Sequence, residues 1–422
     1  MEAYVAVLNY AIPFFIVLLL IEVVVAQRKK AHVIRSMDTL SSLSSGITNS
    51  IKDVLGLTVI ILSYRWVESR VGLLNIEATW YTYIIAFVGI DFAAYWSHRL
   101  NHQVNYFWNH HIVHHSSEEF NLGCALRQTI SSWFSLGFLF LFPTALLGVP
   151  PEVIAVVSPL HLFAQYWYHT RLIGKLGFLE KIIVTPSHHR VHHAINQEYL
   201  DKNLAAIFIT WDKLFGTFQE ELDDVPPVYG VKRPVRTWNP LLINFQHLWQ
   251  LIKDAWHARS WWDKLRIWFM PTGWRPTDVA TKYPIAVIED VYAYQKYAPQ
   301  TSSGLKWWSW TQWFVTSALM MYMFNSLSNL SFQAALFFGL FLIMTIFSYT
   351  MLMDRYRHAL LVESIRGLVG LSIWWANDWF LLTNAIPGAQ FMVVGYLALS
   401  WAACFFFTRI ERPSPEQEEI LA

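Results

Sequence analysis

Long apolar runs separated by short polar stretches set the pattern of this chain. Nine stand out, at 5–26, 47–64, 80–96, 130–149, 151–168, 308–327, 332–353, 367–382 and 391–407. Most come near the ~20 residues that a helix needs to cross a bilayer. The second is the weakest, since Lys52 and Asp53 interrupt it. Pro150-Pro151 between the fourth and fifth suits the apex of a helical hairpin.

Charge placement orients these runs. Arg28, Lys29, Lys30 and Arg35 follow the first run, and only Glu2 precedes it. That order predicts a retained anchor with its N-terminus outside. With the basic cluster in the cytoplasm, the third and fifth runs end there too, carrying His98 and His169. Arg355, Arg357, Arg409 and Arg412 also return to that side, and only Arg65 and Arg70 oppose the bias.

The expected fold is an all-α polytopic membrane protein with about nine transmembrane helices. A cytoplasmic helical cap would carry a histidine-rich dimetal site. Two parts are expected: a membrane domain with its cap over 1–300, and a four-helix transmembrane block over 301–422. The Trp-rich run 245–270 should lie on the membrane surface.

Composition supports a membrane protein. The chain is 55% hydrophobic and only 14% charged, against about 25% charged in soluble domains. Its 22 Trp and 19 Tyr suit many membrane–water boundaries. A net charge of +1 offers no basic field for nucleic acid. Two distant cysteines, Cys124 and Cys404, make no thiolate site.

The histidines change the picture from membrane protein to metalloprotein. Twelve of sixteen fall between positions 98 and 193. His98 and His102 are four apart and share one helix face. His111, His114 and His115 form H-x-x-H-H, and His189, His192 and His193 repeat it. Three helical faces thus offer eight imidazoles, and His169 adds a ninth at the end of the fifth run. That is too many for one ion, since a tetrahedral site takes four ligands, so two ions are expected. All-nitrogen ligation suits iron, zinc or copper.

Ligating imidazoles usually donate their other N–H to a carboxylate or carbonyl. The candidates for that role, or for packing beside the rings, are Asp91, Glu118, Glu119, Asn121, His161, His188 and Asp212; Asp201 is a further acid nearby. His32, His247, His257 and His358 read as packing or interfacial residues. H-E-x-x-H, G-x-G-x-x-G, the P-loop and G-x-S-x-G are absent. That disfavours zincin proteolysis, a built-in nicotinamide domain, ATP-driven work and serine hydrolysis, and leaves electrons to an external donor.

The pattern His98-x-x-x-His102, His111-x-x-His114-His115, His189-x-x-His192-His193 resembles the fatty acid hydroxylase/sterol desaturase superfamily. Within it, HHSSEEFNLGCALRQT (114–129) and TPSHHRVHHAINQEYLDKNLAAIFITWDKLFGTFQEE (185–221) resemble the branch that cleaves alkylglycerols. The resemblance implies two iron ions held by the eight clustered histidines, with O₂ and tetrahydrobiopterin as co-reactants. It also implies a lipid substrate drawn from the bilayer and hydroxylated at the carbon next to its ether oxygen. Gln103 departs from that branch, where a glutamate commonly follows the second histidine. No pterin-binding motif is visible. The setting would be the endoplasmic reticulum membrane in a eukaryote or the inner membrane in a bacterium. The competing expectations are a sterol or fatty acid hydroxylase or desaturase fed by cytochrome b5 or ferredoxin, and a metal transporter.

Overall fold

In a computed structural model, the described residues are 2–57, 64–74, 76–131, 140–377 and 386–411. They form helices and connecting loops, and no strand occurs among them beyond three isolated bridges. The helices that frame the site and the core are α1 (Glu2–Arg28), α2 (Ser36–Val54), α3 (Trp80–Gln103), α4 (Asn105–His115) and α5 (Pro151–Phe163). Next come α6 (Pro186–His192), α7 (Pro240–His257) and α8 (Trp261–Arg266). The last four are α9 (Ser303–Ser326), α10 (Phe332–Met353), α11 (Ala359–Asn377) and α12 (Ala389–Phe405).

Helix starts follow local chemistry. Ser302 and Ser331 cap α9 and α10 by accepting from the amides of Leu305 and Ala334. Asn239 caps α7, with Pro240 in the first turn, where a missing N–H costs nothing.

Among the described residues, three helices are long and apolar enough to cross a membrane: Asn9–Arg28, Phe332–Met353 and Ala389–Ile410. Their mean hydropathy is 2.3, 2.1 and 1.8. Side chains such as Leu20, Phe337 and Phe391 stand exposed on them, as lipid-facing positions do. The chain is an integral membrane protein.

The other apolar runs differ in extent from the sequence reading. The helix near the second run starts at Ser36 and ends at Val54, while 58–63 lie outside the described residues. Its early serines are buried because Ser42 and Ser44 bond back to the carbonyls of Asp38 and Leu40, which lets a polar helix pack inside. Residues 132–139 of the fourth run and 378–382 of the eighth lie outside the described residues. The fifth is helical only to Phe163.

One apolar core joins both halves of the sequence. Leu40, Ile47 and Ile51 of α2 pack with Met320 of α9, Phe338 and Phe341 of α10, and Leu397 of α12. The segment 170–300 is mostly loop, with α7 as its one long helix. Asp354, at the end of α10, accepts from the backbone N–H of Trp238 at 2.8 Å and from the Tyr297 hydroxyl at 3.1 Å. That ties this segment to the C-terminal helices.

Two buried polar contacts fix the stretch behind α4. Arg127, only 1% exposed, donates to Asp38 Oδ1 at 2.7 Å, Ser42 Oγ at 2.9 Å and Ser116 Oγ at 2.8 Å. Glu22 of α1 accepts from the Leu122 amide at 2.7 Å and the Thr170 hydroxyl at 2.6 Å. Helix α1, the segment after His115 and the residue after His169 are thereby held together.

Candidate metal centre

Helix α3 carries His98 and His102 on its last turns, and α4 carries His111, His114 and His115. Helix α6 carries His189 and His192, with His193 at its C-cap, and His169 lies just past α5. The nine rings sort into two groups. His98, His102, His111, His115 and His192 form one; His114, His169, His189 and His193 form the other. Within each, the candidate donor atoms lie within 4.8 Å of one another.

Helix geometry explains the sorting. In each H-x-x-H-H, the first and last histidines are four apart and point the same way. His111 and His115 join the five-membered group; His189 and His193 join the four-membered one. The middle histidine of each motif, His114 or His192, crosses to the other group. Each motif therefore contributes to both groups.

The hydrogen bonds show what these rings can hold. His98 Nδ1 donates to the Leu204 carbonyl at 2.7 Å, and His192 Nδ1 to the Lys202 carbonyl at 3.0 Å. His102 Nδ1 donates to Asp201 Oδ1 at 3.0 Å, and His169 Nδ1 to the Gln165 carbonyl at 3.0 Å. A neutral ring that gives its N–H away there keeps a bare lone pair on Nε2. The Nε2 atoms of His102 and His192 are buried and have no hydrogen-bond partner.

The inward nitrogens are close-set. His98 Nε2 lies 2.8 Å from His111 Nε2, which lies 3.0 Å from His115 Nε2. In the four-membered group the successive Nε2 separations are 2.8 Å (His169–His189), 3.3 Å (His169–His114), 3.1 Å (His114–His193) and 3.1 Å (His193–His189). Four atoms in a closed ring have too few N–H groups to bridge every gap once His169 has spent its own. Nitrogens bound about 2.0–2.1 Å from one ion sit about 2.9–3.4 Å apart at angles between 90° and the tetrahedral value. Both groups fit a cation.

Electrostatics agrees. Burial holds His98 and His114 down at about 3. Burial and the neighbouring imidazoles push His111, His115, His169, His189, His192 and His193 well below their ordinary 6.5. These eight are neutral at pH 7, the form that binds metal. Aromatic rings cover the four-membered group: Phe120 lies 5.1 Å from His193, and Tyr168 lies 4.4 Å from His189, centroid to centroid.

Of the other sequence candidates, Asp201 bonds to His102, and the rest lie around this centre without a hydrogen bond to any of the nine rings. Asp91 bonds to His161 of α5 at 2.7 Å; it also accepts from the amides of Ile207 and Phe208 and from Trp211. Asp212 accepts from the amides of Leu204 and Ala205 at 2.7 and 2.9 Å. It therefore secures the residue whose carbonyl holds His98. Glu119 pairs with Arg171 and Lys296, both at 2.6 Å. Glu118 accepts from Tyr294 and the Tyr297 amide. Asn121 donates to the Val33 carbonyl, and His188 packs against Phe218.

The partners that do reach the rings come mainly from one loop. Residues 201–204 supply the Asp201 carboxylate and the Lys202 and Leu204 carbonyls to His102, His192 and His98. Asp201 and Asn203 take left-handed φ of 56° and 53° there. Asn203 is pinned by bonds to the His188 and Gln219 carbonyls. Backbone carbonyls leave no trace in a sequence, but a D-x-N pair, which tolerates that conformation, is a signal of a tight turn.

Comparison with known proteins accords with this geometry. The fatty acid hydroxylase family model matches residues 83–217, which hold all nine rings. The alkylglycerol monooxygenase of Homo sapiens is 35% identical over 86% of this chain and 81% of its own length. That of Danio rerio is 39% identical over 64% of this chain and 60% of its own. An ornithine lipid hydroxylase of Rhizobium tropici is 29% identical over 32% of this chain and 41% of its own. No solved structure matches. The protein is an oxidoreductase, a membrane-seated lipid monooxygenase with a histidine metal site. The chain belongs to the fatty acid hydroxylase family, in the group formed by the alkylglycerol monooxygenases.

Proposed function

We propose that the nine histidines hold two iron ions, one per group, and that the enzyme cleaves the ether bond of alkylglycerols. The observation that carries this reading is the pair of close-set, largely buried imidazole groups in a chain so similar to alkylglycerol monooxygenases. In the reaction one atom of O₂ enters the C–H bond next to the ether oxygen. The other leaves as water, with two electrons from tetrahydrobiopterin. The hemiacetal so formed breaks into a fatty aldehyde and a glycerol.

Bound iron supplies the activation of O₂, which no side chain here can provide. The protein's own residues do the rest. His98, His102, His192 and His169 are oriented by their Nδ1–H bonds, so their Nε2 lone pairs are aimed before any ion arrives. Asp212 and Asn203 hold the loop that does the aiming. Phe120, Tyr168 and Tyr229 keep water from the four-membered group, which protects the oxidant from quenching.

The reading includes a topology of about nine spans, with 1–300 as the catalytic domain and 301–422 as an added transmembrane block. The centre then faces the cytoplasm, where a soluble pterin reaches it, from the endoplasmic reticulum or a bacterial inner membrane. The test is incubation of membranes with 1-O-hexadecylglycerol, O₂ and tetrahydrobiopterin. Hexadecanal release is expected. Turnover of a sterol or fatty acid with reduced cytochrome b5, and none with the pterin, would point to the other branch of the family.

A further inference from the structure

The five-histidine group is open on one side. A cavity of about 370 Å³ is walled in part by His102, His115 and His192, whereas no ring of the four-histidine group borders it. That volume lies in the range of small-molecule sites, about 300–1,000 Å³. Trp108, Ile112, Val231, Val235 and Leu251 give it an apolar lining.

One string of polar groups crosses that lining. Arg233 Nη2 donates to Gln250 Oε1 at 2.9 Å, and Gln250 Nε2 to Asp254 Oδ1 at 2.7 Å. Arg275 grips both oxygens of Asp254, at 2.7 and 2.8 Å. Two guanidiniums flank one carboxylate, so the string is positive and its only acid is already saturated. Two more lining residues carry buried atoms with no partner, Gln246 Oε1 and Thr272 Oγ1. Buried polar atoms are nearly always hydrogen-bonded. An orphaned acceptor and an orphaned hydroxyl in a cavity wall point to a ligand rich in hydroxyls. Asp201, the other acid of the wall, gives its Oδ1 to His102 Nδ1 at 3.0 Å.

We propose that this cavity seats the glycerol end of the ether lipid, with Gln246, Thr272 and the Arg233–Gln250 string holding its hydroxyls and setting head-group selectivity. The assignment rests on the ether-cleavage reading above. In that reaction the attacked carbon is two bonds from the first glycerol carbon. The head group must therefore sit beside the oxidising centre, where this cavity lies.

The test uses Thr272→Val and Gln246→Met. Each removes an atom that bonds to nothing in the protein, so neither costs the fold a hydrogen bond. The KM for 1-O-hexadecylglycerol should rise about 5–10-fold, the loss of one hydrogen bond to the ligand. The kcat should stay within about twofold and the melting temperature should hold or rise. Hexadecyl methyl ether, which lacks the hydroxyls, should be handled equally by wild type and variants. Unchanged KM in both variants overturns the proposal. A binding readout separates it from the reaction assignment. Under argon, a hexadecylglycerol with a diazirine close to the ether oxygen should label cavity peptides of the holoenzyme, in competition with unlabelled hexadecylglycerol. Labelling confined to the membrane helices overturns the site. Cavity labelling without any aldehyde in air would leave the site standing and sink the ether-cleavage reading.

Discussion

The imidazoles of His115 and His193 stack 4.3 Å apart and 18° from parallel, yet they belong to different donor groups. Each is the last histidine of an H-x-x-H-H motif. Their stacking places the two groups side by side, and the crossing of His114 and His192 binds them further. Two ions held here would be neighbours in one centre.

That arrangement predicts selective loss. His115→Ala removes a donor from the five-membered group, and His189→Ala one from the four-membered group. Each variant should fall from two irons per chain toward one, with oxygenase activity lost. Elemental analysis of purified protein reads this. Full iron content in either variant would contradict the sorting.

Asp201 tests the outer bonds. Its side chain is 57% exposed, so Asp201→Ala should leave folding within about 0.5 kcal/mol. His102 loses its orienting acceptor, and metal affinity or activity should drop about 10–100-fold. Asp201→Asn, which keeps an oxygen acceptor, should recover part of the loss.

Arg127 tests the support behind α4. It pairs with Asp38 where both side chains are buried, at 2% and 7% exposure. Asp38→Ala strands a buried guanidinium and should cost about 3–5 kcal/mol. Joint replacement by Asp38→Leu and Arg127→Met should cost less than Asp38→Ala alone. Thermal unfolding in detergent checks both.

Metal removal should destabilise the helix ends and loops that carry the nine rings. Without a cation, inward lone pairs 2.8–3.3 Å apart face one another with too few protons to bridge them. Chelation should lower the melting temperature, and Fe(II) should restore it in proportion to the iron regained. An unchanged melting curve after complete iron removal would contradict this.

Much of the site was legible in the sequence because its information is periodic. Spacings of three and four fix which rings share a helix face, and His169 followed from its place at the end of an apolar run. The two-group sorting was not legible, since an arc of about 100° does not say which side of it each ring serves. The orienting partners were hidden for another reason. Leu204, Lys202 and Gln165 act through backbone carbonyls, and any residue has one. Asp91 and Asp212 turned out to hold the loop rather than the rings. Helix limits near Ser36 and Phe163 were obscured where local serine hydrogen bonds and a loop rich in partners override hydropathy.

The central claim is that the two histidine groups hold one iron each. Mössbauer spectroscopy of the purified ⁵⁷Fe-enriched enzyme tests it directly. Two irons per chain, in two distinct quadrupole doublets of equal area, are expected from a five-donor and a four-donor position. A single doublet at one iron per chain, or no bound iron, would contradict it.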